Sequence, residues 1–369
     1  MERIDMKNLL KNMPLFFYVF LSVLLTVFVI LTITACGKND DEVIPIEEAD
    51  DRIEVGFSQL GAESDWRIAN SESMKATFEG NDKYDFIFED AQQKQANQIT
   101  AVRSFIQQDP DYIVIAPVME TGWDTVLSEV QQAGIPVIIV DRMVDVSDST
   151  LFTCWVGSDF ALEGKKVTEW LHQYLLAKNI DESTVNIANI QGTLGASSQI
   201  GRTSGLEQAV SRYGWNFLEN VDGDYTAAKA YEAMRYLLDQ YEDINVVYCE
   251  NDNEAFGAIE AIEDMDRKAG FDIENGEIMI LSFDGVSPEA LQYVLEGKIA
   301  CIGECNPLHG PRVESIIDLM ESGHNPDRYY YVDEQIFSSD DTVKSVRITG
   351  NEYPITLIDG EYVKKMEEE

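Results

Sequence analysis

Histidine is scarce, at 3 of 369 residues, and His172, His309 and His324 all fall away from the ends of the apolar runs. Cysteine is scarce too, with 5 residues, and no C-x-x-C or His-rich spacing is present. Both absences argue against a zinc centre. Cys301 and Cys305 fall in an apparent strand, where four residues span about 13 Å, beyond disulfide reach of each other. Cys154, Cys249, Cys301 and Cys305 are expected as small buried apolar residues, with a long-range pair such as Cys154 with Cys305 left open. Basic residues are few: 27 Lys and Arg stand against 67 Asp and Glu, a net charge of −40. Such a field repels phosphate backbones and anionic headgroups, so neither nucleic acid nor a lipid surface is an expected partner of the folded part. The sequence contains no G-x-S-x-G, G-x-G-x-x-G or G-x-x-x-x-G-K-[ST]. The common nucleophile elbow, dinucleotide turn and phosphate loop are therefore excluded, and no cofactor and no metal is expected.

What is present begins with a leader. Arg3, Lys7 and Lys11 precede an unbroken apolar segment, Leu15 to Ile33, followed by Thr34-Ala35-Cys36-Gly37. A basic start, an apolar run and small residues before a cut describe an export signal. The Ile33-Thr34-Ala35-Cys36 ending resembles the lipobox of bacterial lipoproteins. That likeness implies a lipoprotein signal segment over 1–36 that ends at Cys36, with cleavage before Cys36 and lipid on the thiol that becomes the mature N-terminus. The alternative is an uncleaved membrane helix, since the run is long enough to span a bilayer. Either way the remainder lies outside, tethered to the outer face of the cytoplasmic membrane. Residues 37–52 are dominated by Asp and Glu without apolar periodicity, which describes a self-repelling, extended tether.

The remaining chain, roughly 315 residues, exceeds one typical core and fits two lobes. Apolar runs alternate with amphipathic stretches from Ile53 onward, the pattern of a parallel sheet covered by helices. Pro136-Val137-Ile138-Ile139-Val140 shows no polar alternation and reads as a strand buried on both faces. The pattern restarts after Gly157-Ser158-Asp159. The expectation is an α/β protein of two doubly wound parallel-sheet lobes. The first takes 53–158 and 305–332, the second 159–304 and 333–345. The chain would then cross between lobes near Ser158, near Glu304 and between Tyr331 and Phe337. Tyr329 to Phe337 reads as one strand, and 346–369 has no assigned place.

Most of the apolar runs end on hydrogen-bonding side chains, including Asp90, Asp141-Arg142, Asn251, Asp284 and Glu304. In open α/β sheets the crevice beyond the carboxyl ends of the strands is where ligands bind. Paired carboxylates such as Asp141 and Asp284 could suggest glycoside hydrolysis. Each, however, has an Arg or Asn companion better suited to hydrogen-bonding a neutral sugar, and catalysis is not expected.

Several stretches then carry a resemblance. They are Val55-Gly56-Phe57-Ser58-Gln59 with Glu63-Ser64 and Trp66-Arg67, and the glutamine-rich run Gln92 to Gln98 continuing to Phe105. Further ones are Ile115-Ala116-Pro117-Val118, Thr121-Gly122-Trp123, Asp141-Arg142 and Gln191-Gly192-Thr193 with Gly195-Ala196-Ser197. Over roughly Ile53 to Asn306 the chain resembles the type I periplasmic sugar-binding proteins of ABC transporters, the ribose- and galactose-binding group, and within it the galactofuranose-binding branch. The resemblance implies the type I periplasmic binding protein fold, a three-crossing hinge and an interlobe cleft. It implies a monosaccharide ligand held without turnover, delivered to an ABC permease; the alternative is presentation to a membrane sensor kinase. A monomer is expected. Carried over by motif, the ligand contacts are Ser64, Trp66, Arg67, Asp141 and Arg142, then Arg202, Tyr225, Asn251 and Asp284, with Glu304 at a crossing. Asp90 is either a contact or a strand-end cap. Trp66 or Tyr225 would cover the apolar face of a sugar ring, and the Asp, Asn and Arg groups would bond its hydroxyl rim. The chain departs from the enteric pattern at Glu250, where histidine is usual, at Gly201 and in the tail after Ser338.

Overall fold

Ile53–Gln59 forms β1, an interior strand of a first sheet, in a computed structural model that describes residues 52–368. The leader, Cys36 and the acidic tether lie outside the described residues. After β1 come α1 (Asp65–Phe78), β2 (Tyr84–Asp90), α2 (Gln95–Gln108), β3 (Tyr112–Ile115), α3 (Asp124–Ala133), β4 (Val137–Val140) and β5 (Cys154–Gly157). The six-stranded sheet has the order β11-β5-β4-β3-β1-β2, where β11 is Tyr329–Tyr331. Every pairing in it is parallel. All four residues of β4 are buried, as an unalternating β-branched run requires when helices cover both faces.

The second lobe opens with α4 (Phe160–Lys178) and continues with β6 (Asn186–Gln191), α5 (Ser197–Tyr213), β7 (Asn216–Asp222), α6 (Ala227–Gln240) and β8 (Val246–Cys249). It goes on through α7 (Asp252–Asp264), β9 (Met279–Asp284), α8 (Pro288–Leu295) and β10 (Cys301–Glu304). α9 (His309–Glu321) returns to the first lobe and packs beside α1. The second sheet has seven strands in the order β15-β12-β10-β9-β8-β6-β7, with β12 at Ile336–Ser338 and β15 at Thr356–Leu357. Apolar clusters fill both faces of each sheet. α4 and α5 pack backbone to backbone, because a Cβ on Gly205 would lie 2.7 Å from the Gly164 main chain.

Three expectations change. The run Tyr329 to Phe337 is two strands, not one: β11 pairs in parallel with β5, and β12 pairs antiparallel with β10 in the other lobe. The residues between them, including Glu334, are the third crossing. The apolar spacing of Ile99, Val102, Phe105 and Ile106 predicts a helix over Gln92 to Gln108, but the helix starts at Gln95, because Gln92 and Gln93 take left-handed φ of 53° and 59° in the turn before it. The tail does find a place. Its β13–β14 hairpin (Ser345–Ile348 and Asn351–Pro354) buries Val346 in the cluster around Trp170, and Val363 of α10 (Gly360–Glu368) joins the opposite face. Cys154, Cys249, Cys301 and Cys305 are buried free thiols, so the pair left open between Cys154 and Cys305 is not formed.

Candidate functional site

The carboxyl ends of the strands in both sheets face one cleft, and the side chains there are placed by local backbone geometry. Ser64 has extended φ and ψ and caps α1, accepting from the Arg67 N–H at 3.2 Å. The first turn of α1 thereby carries Trp66 and Arg67 to the cleft. The Trp66 indole N–H donates to the Cys305 carbonyl at 2.6 Å, and the Arg67 guanidinium lies 4.6 Å from the Trp66 ring centroid. At the end of β4, Asp141 takes a left-handed φ of 61°, which ends the strand and turns Arg142 inward. Arg67 Nη2 donates to Asp141 Oδ2 at 2.5 Å. Arg142 donates to Glu63 and, at 3.0 Å, to the Val118 carbonyl.

The second lobe answers with one guanidinium. Arg202, on α5, donates from Nε to Glu163 Oε2 at 2.8 Å, from Nη2 to Asp284 Oδ1 at 3.3 Å and from Nη1 to the Glu250 carbonyl. Asn251 caps α7, accepting from the Glu254 N–H at 2.8 Å, while its Nδ2 donates to the Tyr225 carbonyl at 3.2 Å. Tyr225 lies flat on Gly192, where a Cβ would come within 2.0 Å of its ring, and its hydroxyl donates to Ser198 Oγ at 2.7 Å. Only glycine allows that approach.

These groups surround a small cavity of about 20 Å³ lined by both lobes. Of the expected contacts, Ser64, Trp66, Arg67, Arg142, Arg202, Tyr225, Asn251 and Asp284 line it, and Asp141 stands directly behind Arg67. Trp66 and Arg202 are 4% and 2% exposed, so Arg202 is no surface arginine. Two expected residues lie elsewhere. Asp90 is exposed at the end of β2, the edge strand of its sheet, and its carboxylate accepts from the Gln92 N–H at 2.7 Å as a strand-end cap. Glu304 is half-buried in the second crossing and accepts from the Gln335 N–H at 2.8 Å. Three further residues line the cavity: Glu63, Ser198 and Cys305. Glu63 adjoins the Ser64 motif and Ser198 closes the Gln191 loop, but the part of Cys305 that Trp66 engages is a main-chain carbonyl, which leaves no mark in a sequence. His309, set aside in the sequence, is buried 5.8 Å from the Trp66 ring. Burial pushes its pKa down to about 4, so the ring is neutral.

The electrostatics are closely balanced. Three guanidiniums, Arg67, Arg142 and Arg202, face the carboxyls of Glu63, Asp141, Glu163 and Asp284. Burial pushes the Asp141 carboxyl up, but Arg67 and Arg142 outweigh it and hold it below the ordinary value. At Asp284 burial wins over Arg202, and the group is held well above the ordinary carboxyl range. Arg67 Nε and Nη1 and Arg142 Nε are buried without protein partners. They are donors beside the cavity, free to meet ligand oxygens.

The lobes are closed on each other. The Asp65 N–H donates to Asn253 Oδ1 at 3.0 Å, the Met143 N–H to Ser197 Oγ at 2.8 Å, and the Glu120 N–H to the Gly195 carbonyl at 3.1 Å. Arg142 lies 5.3 Å from the Tyr225 ring across the cleft.

Among known families, one described as "periplasmic binding protein domain" matches residues 55–307. The galactofuranose-binding protein YtfQ of Escherichia coli (strain K12) is 37% identical over 279 residues, spanning 74% of this chain and 84% of that protein. A Mycobacterium smegmatis protein solved with β-D-fucofuranose superposes with a TM-score of 0.72 at 36% identity, covering 78% of this chain and 91% of that one. The binding component of an arabinose ABC transporter from Shewanella sp. ANA-3, bound to α- and β-L-arabinofuranose, gives 0.70 at 38% identity, covering 77% and 91%.

Proposed function

The chain belongs to the periplasmic binding protein family, a family of binding proteins and not of enzymes, and from that premise we propose that it captures a neutral monosaccharide in its interlobe cavity. The proposed ligand is galactofuranose or a related aldose, which an ABC importer then receives. The protein stands outside the cytoplasmic membrane on a lipid carried by Cys36. The observation that carries the ligand reading is the charge-balanced set that both lobes bring to one cleft, with three unpartnered guanidinium nitrogens. Arg67 and Arg142 already have carboxylate partners, so their spare donors suit uncharged hydroxyls; a sugar acid or sugar phosphate would bring charge with no free cation to meet it. Trp66 and Tyr225 offer ring surface to the C–H face of the sugar. Ligands of the similar proteins, β-D-fucofuranose and L-arabinofuranose, support a five-membered ring.

A thermal-shift screen tests this, with D-galactose, D-fucose and L-arabinose against D-galacturonate as the charged control. A neutral aldose at a hundred times its dissociation constant adds about 2.7 kcal/mol, a shift of several degrees. The recovered sugar should be chemically unchanged. Stabilisation by the galacturonate alone, or release of an altered product, would overturn the reading.

A further inference from the structure

The three segments that cross between the lobes converge on one buried carboxyl. Ser158, in the first crossing, donates from Oγ to Glu334 Oε1 at 2.6 Å; Asn306, in the second, donates its backbone N–H to the same oxygen at 2.8 Å. Glu334 itself is in the third crossing, and its carbonyl accepts from Lys166 Nζ at 2.8 Å. Beside it stands Glu163 of α4. One oxygen of each carboxyl and the Cys305 sulfur all lie within 4.8 Å of one another. Glu163 Oε2 is bound to Arg202, while Oε1 is buried without a partner. Two carboxylates this close cannot both hold full charge in a dry site, and the usual resolution is a shared proton.

We propose that Glu334 is protonated at neutral pH and donates to Glu163 Oε1, forming a carboxyl–carboxylate hydrogen bond that ties the hinge to Arg202 when the lobes close.

Geometry links the pair to closure. Cys305, at its side, is covered by Trp66 from the first lobe and by Phe160 and Val286 from the second. Separating the lobes withdraws that cover and admits water to the carboxyls. The groups facing the pair are Lys166 on α4, Arg202 on α5, Asp284 at the end of β9, Arg312 on α9 and the Cys305 thiol. Burial first, and Glu163 second, hold the Glu334 carboxyl well above its ordinary range; burial likewise raises Glu163, against the pull of Arg202. A carboxyl raised in the closed form favours closure below its open-form value and loses that contribution as pH rises through the closed-form value. A metal ion is a poorer occupant than a proton, because Arg202 and Lys166 already supply two cations.

The affinity arm rests on the sugar-closure reading above; the spectroscopic arm does not. Glu334→Gln keeps an oxygen for Ser158 and Asn306 and offers Glu163 an N–H that does not ionise. In full-length protein in detergent, infrared spectra without sugar at pH 7 should show a protonated carboxyl band, contributed by the fraction of molecules with closed lobes, that weakens in Glu334→Gln. D-Galactose titrations in two buffers of different ionisation heat should show more proton uptake by the parent than by the variant, by up to one proton. The parent's affinity should fall up to tenfold per pH unit more steeply than the variant's. If Glu334→Gln does not fold, Ser158→Ala, which removes a donor to the carboxylate, should move the fall in affinity to higher pH. Equal band intensity and equal proton uptake in parent and Glu334→Gln would overturn the proposal, as would no upward shift in Ser158→Ala. A zinc-dependent rise in the parent's melting temperature that Glu334→Gln abolishes would also overturn it, placing a metal where the proton is assigned.

Discussion

The backbone N–H of Asp65 donates to the side chain of Asn253 at 3.0 Å, joining two helix N-termini that belong to different lobes and lie 188 residues apart in the chain. Both helices are capped by neighbours of these residues, Ser64 on α1 and Asn251 on α7, and both caps line the cavity. The contact therefore closes the cleft without belonging to the cavity wall. Asn253→Ala removes it and leaves every cavity-lining side chain in place. A net hydrogen bond of about 0.5–1.5 kcal/mol corresponds to a roughly two- to tenfold loss of sugar affinity, read by calorimetry. An unchanged affinity would mean the contact does not bias the closed form.

Asp284 has the opposite position, inside the cavity and bound to Arg202. Asp284→Ala removes a rim partner for the sugar and frees one end of the guanidinium. Loss of a charge-assisted hydrogen bond of about 1.5–3 kcal/mol predicts an affinity roughly ten- to hundredfold weaker in the same calorimetric measurement.

Gly192→Ala tests the aromatic wall. The added methyl would sit 2.0 Å from the Tyr225 ring, so the ring must move from its place over Gly192 and lose its bond to Ser198. Overpacking of this kind costs about 1–3 kcal/mol. The expected outcome is a folded protein with a lowered melting temperature and strongly reduced sugar binding. Full binding would show that Tyr225 is not a wall of the site.

The buried acids of the second lobe set a pH dependence of stability. Burial raises Glu250 to about 7 against the donors Thr203, Gly192 and Asn189, and it raises Asp252 to about 7 against Ser282 and Gly285. Both values exceed the ordinary carboxyl value of about 4, so each contribution is complete below that value and is lost as pH rises through about 7. Asp141, held low by Arg67 and Arg142, acts in the opposite sense only at strongly acidic pH. Urea unfolding should therefore give a stability higher at pH 5.5 than at pH 8.5, by an amount on the order of a few kcal/mol. A stability that rises over this range would contradict the assignment.

Cys36 lies outside the described residues, and its lipidation is tested in cells. Cys36→Ser should leave an unprocessed precursor, seen as slower migration on a gel and no incorporation of labelled fatty acid. Normal processing of that variant would refute the anchor.

The fold was legible because burial on both faces leaves a plain mark: Val137–Val140 has no polar alternation, and β4 is buried at every residue. Strand ends were legible for the same reason, since Asp141 and Asp284 are polar residues that stop apolar runs. Edge position was not. Asp90 ends its strand as Asp141 does, but sheet order puts β2 at the rim, and no local pattern encodes sheet order. Tyr329 to Phe337 reads as one strand because only three polar residues, Asp333-Glu334-Gln335, separate its aromatic start from Ile336-Phe337, although the two ends pair in different sheets. Glu163 and Glu334 look like two more surface acids in a chain with 67 of them, and only the approach of the three crossings buries them.

Small-angle scattering of the folded unit that starts at Arg52, measured with and without a saturating aldose, tests the central claim most directly. A ligand touching Arg67 and Arg142 on one lobe and Arg202 and Asp284 on the other favours the closed form by its differential affinity, and only that difference moves the population. The sugar should reduce the radius of gyration of the parent protein, and Asp284→Ala should stay more open at equal occupancy. A parent protein that binds sugar with no change in radius of gyration would contradict closure of the two lobes around the ligand.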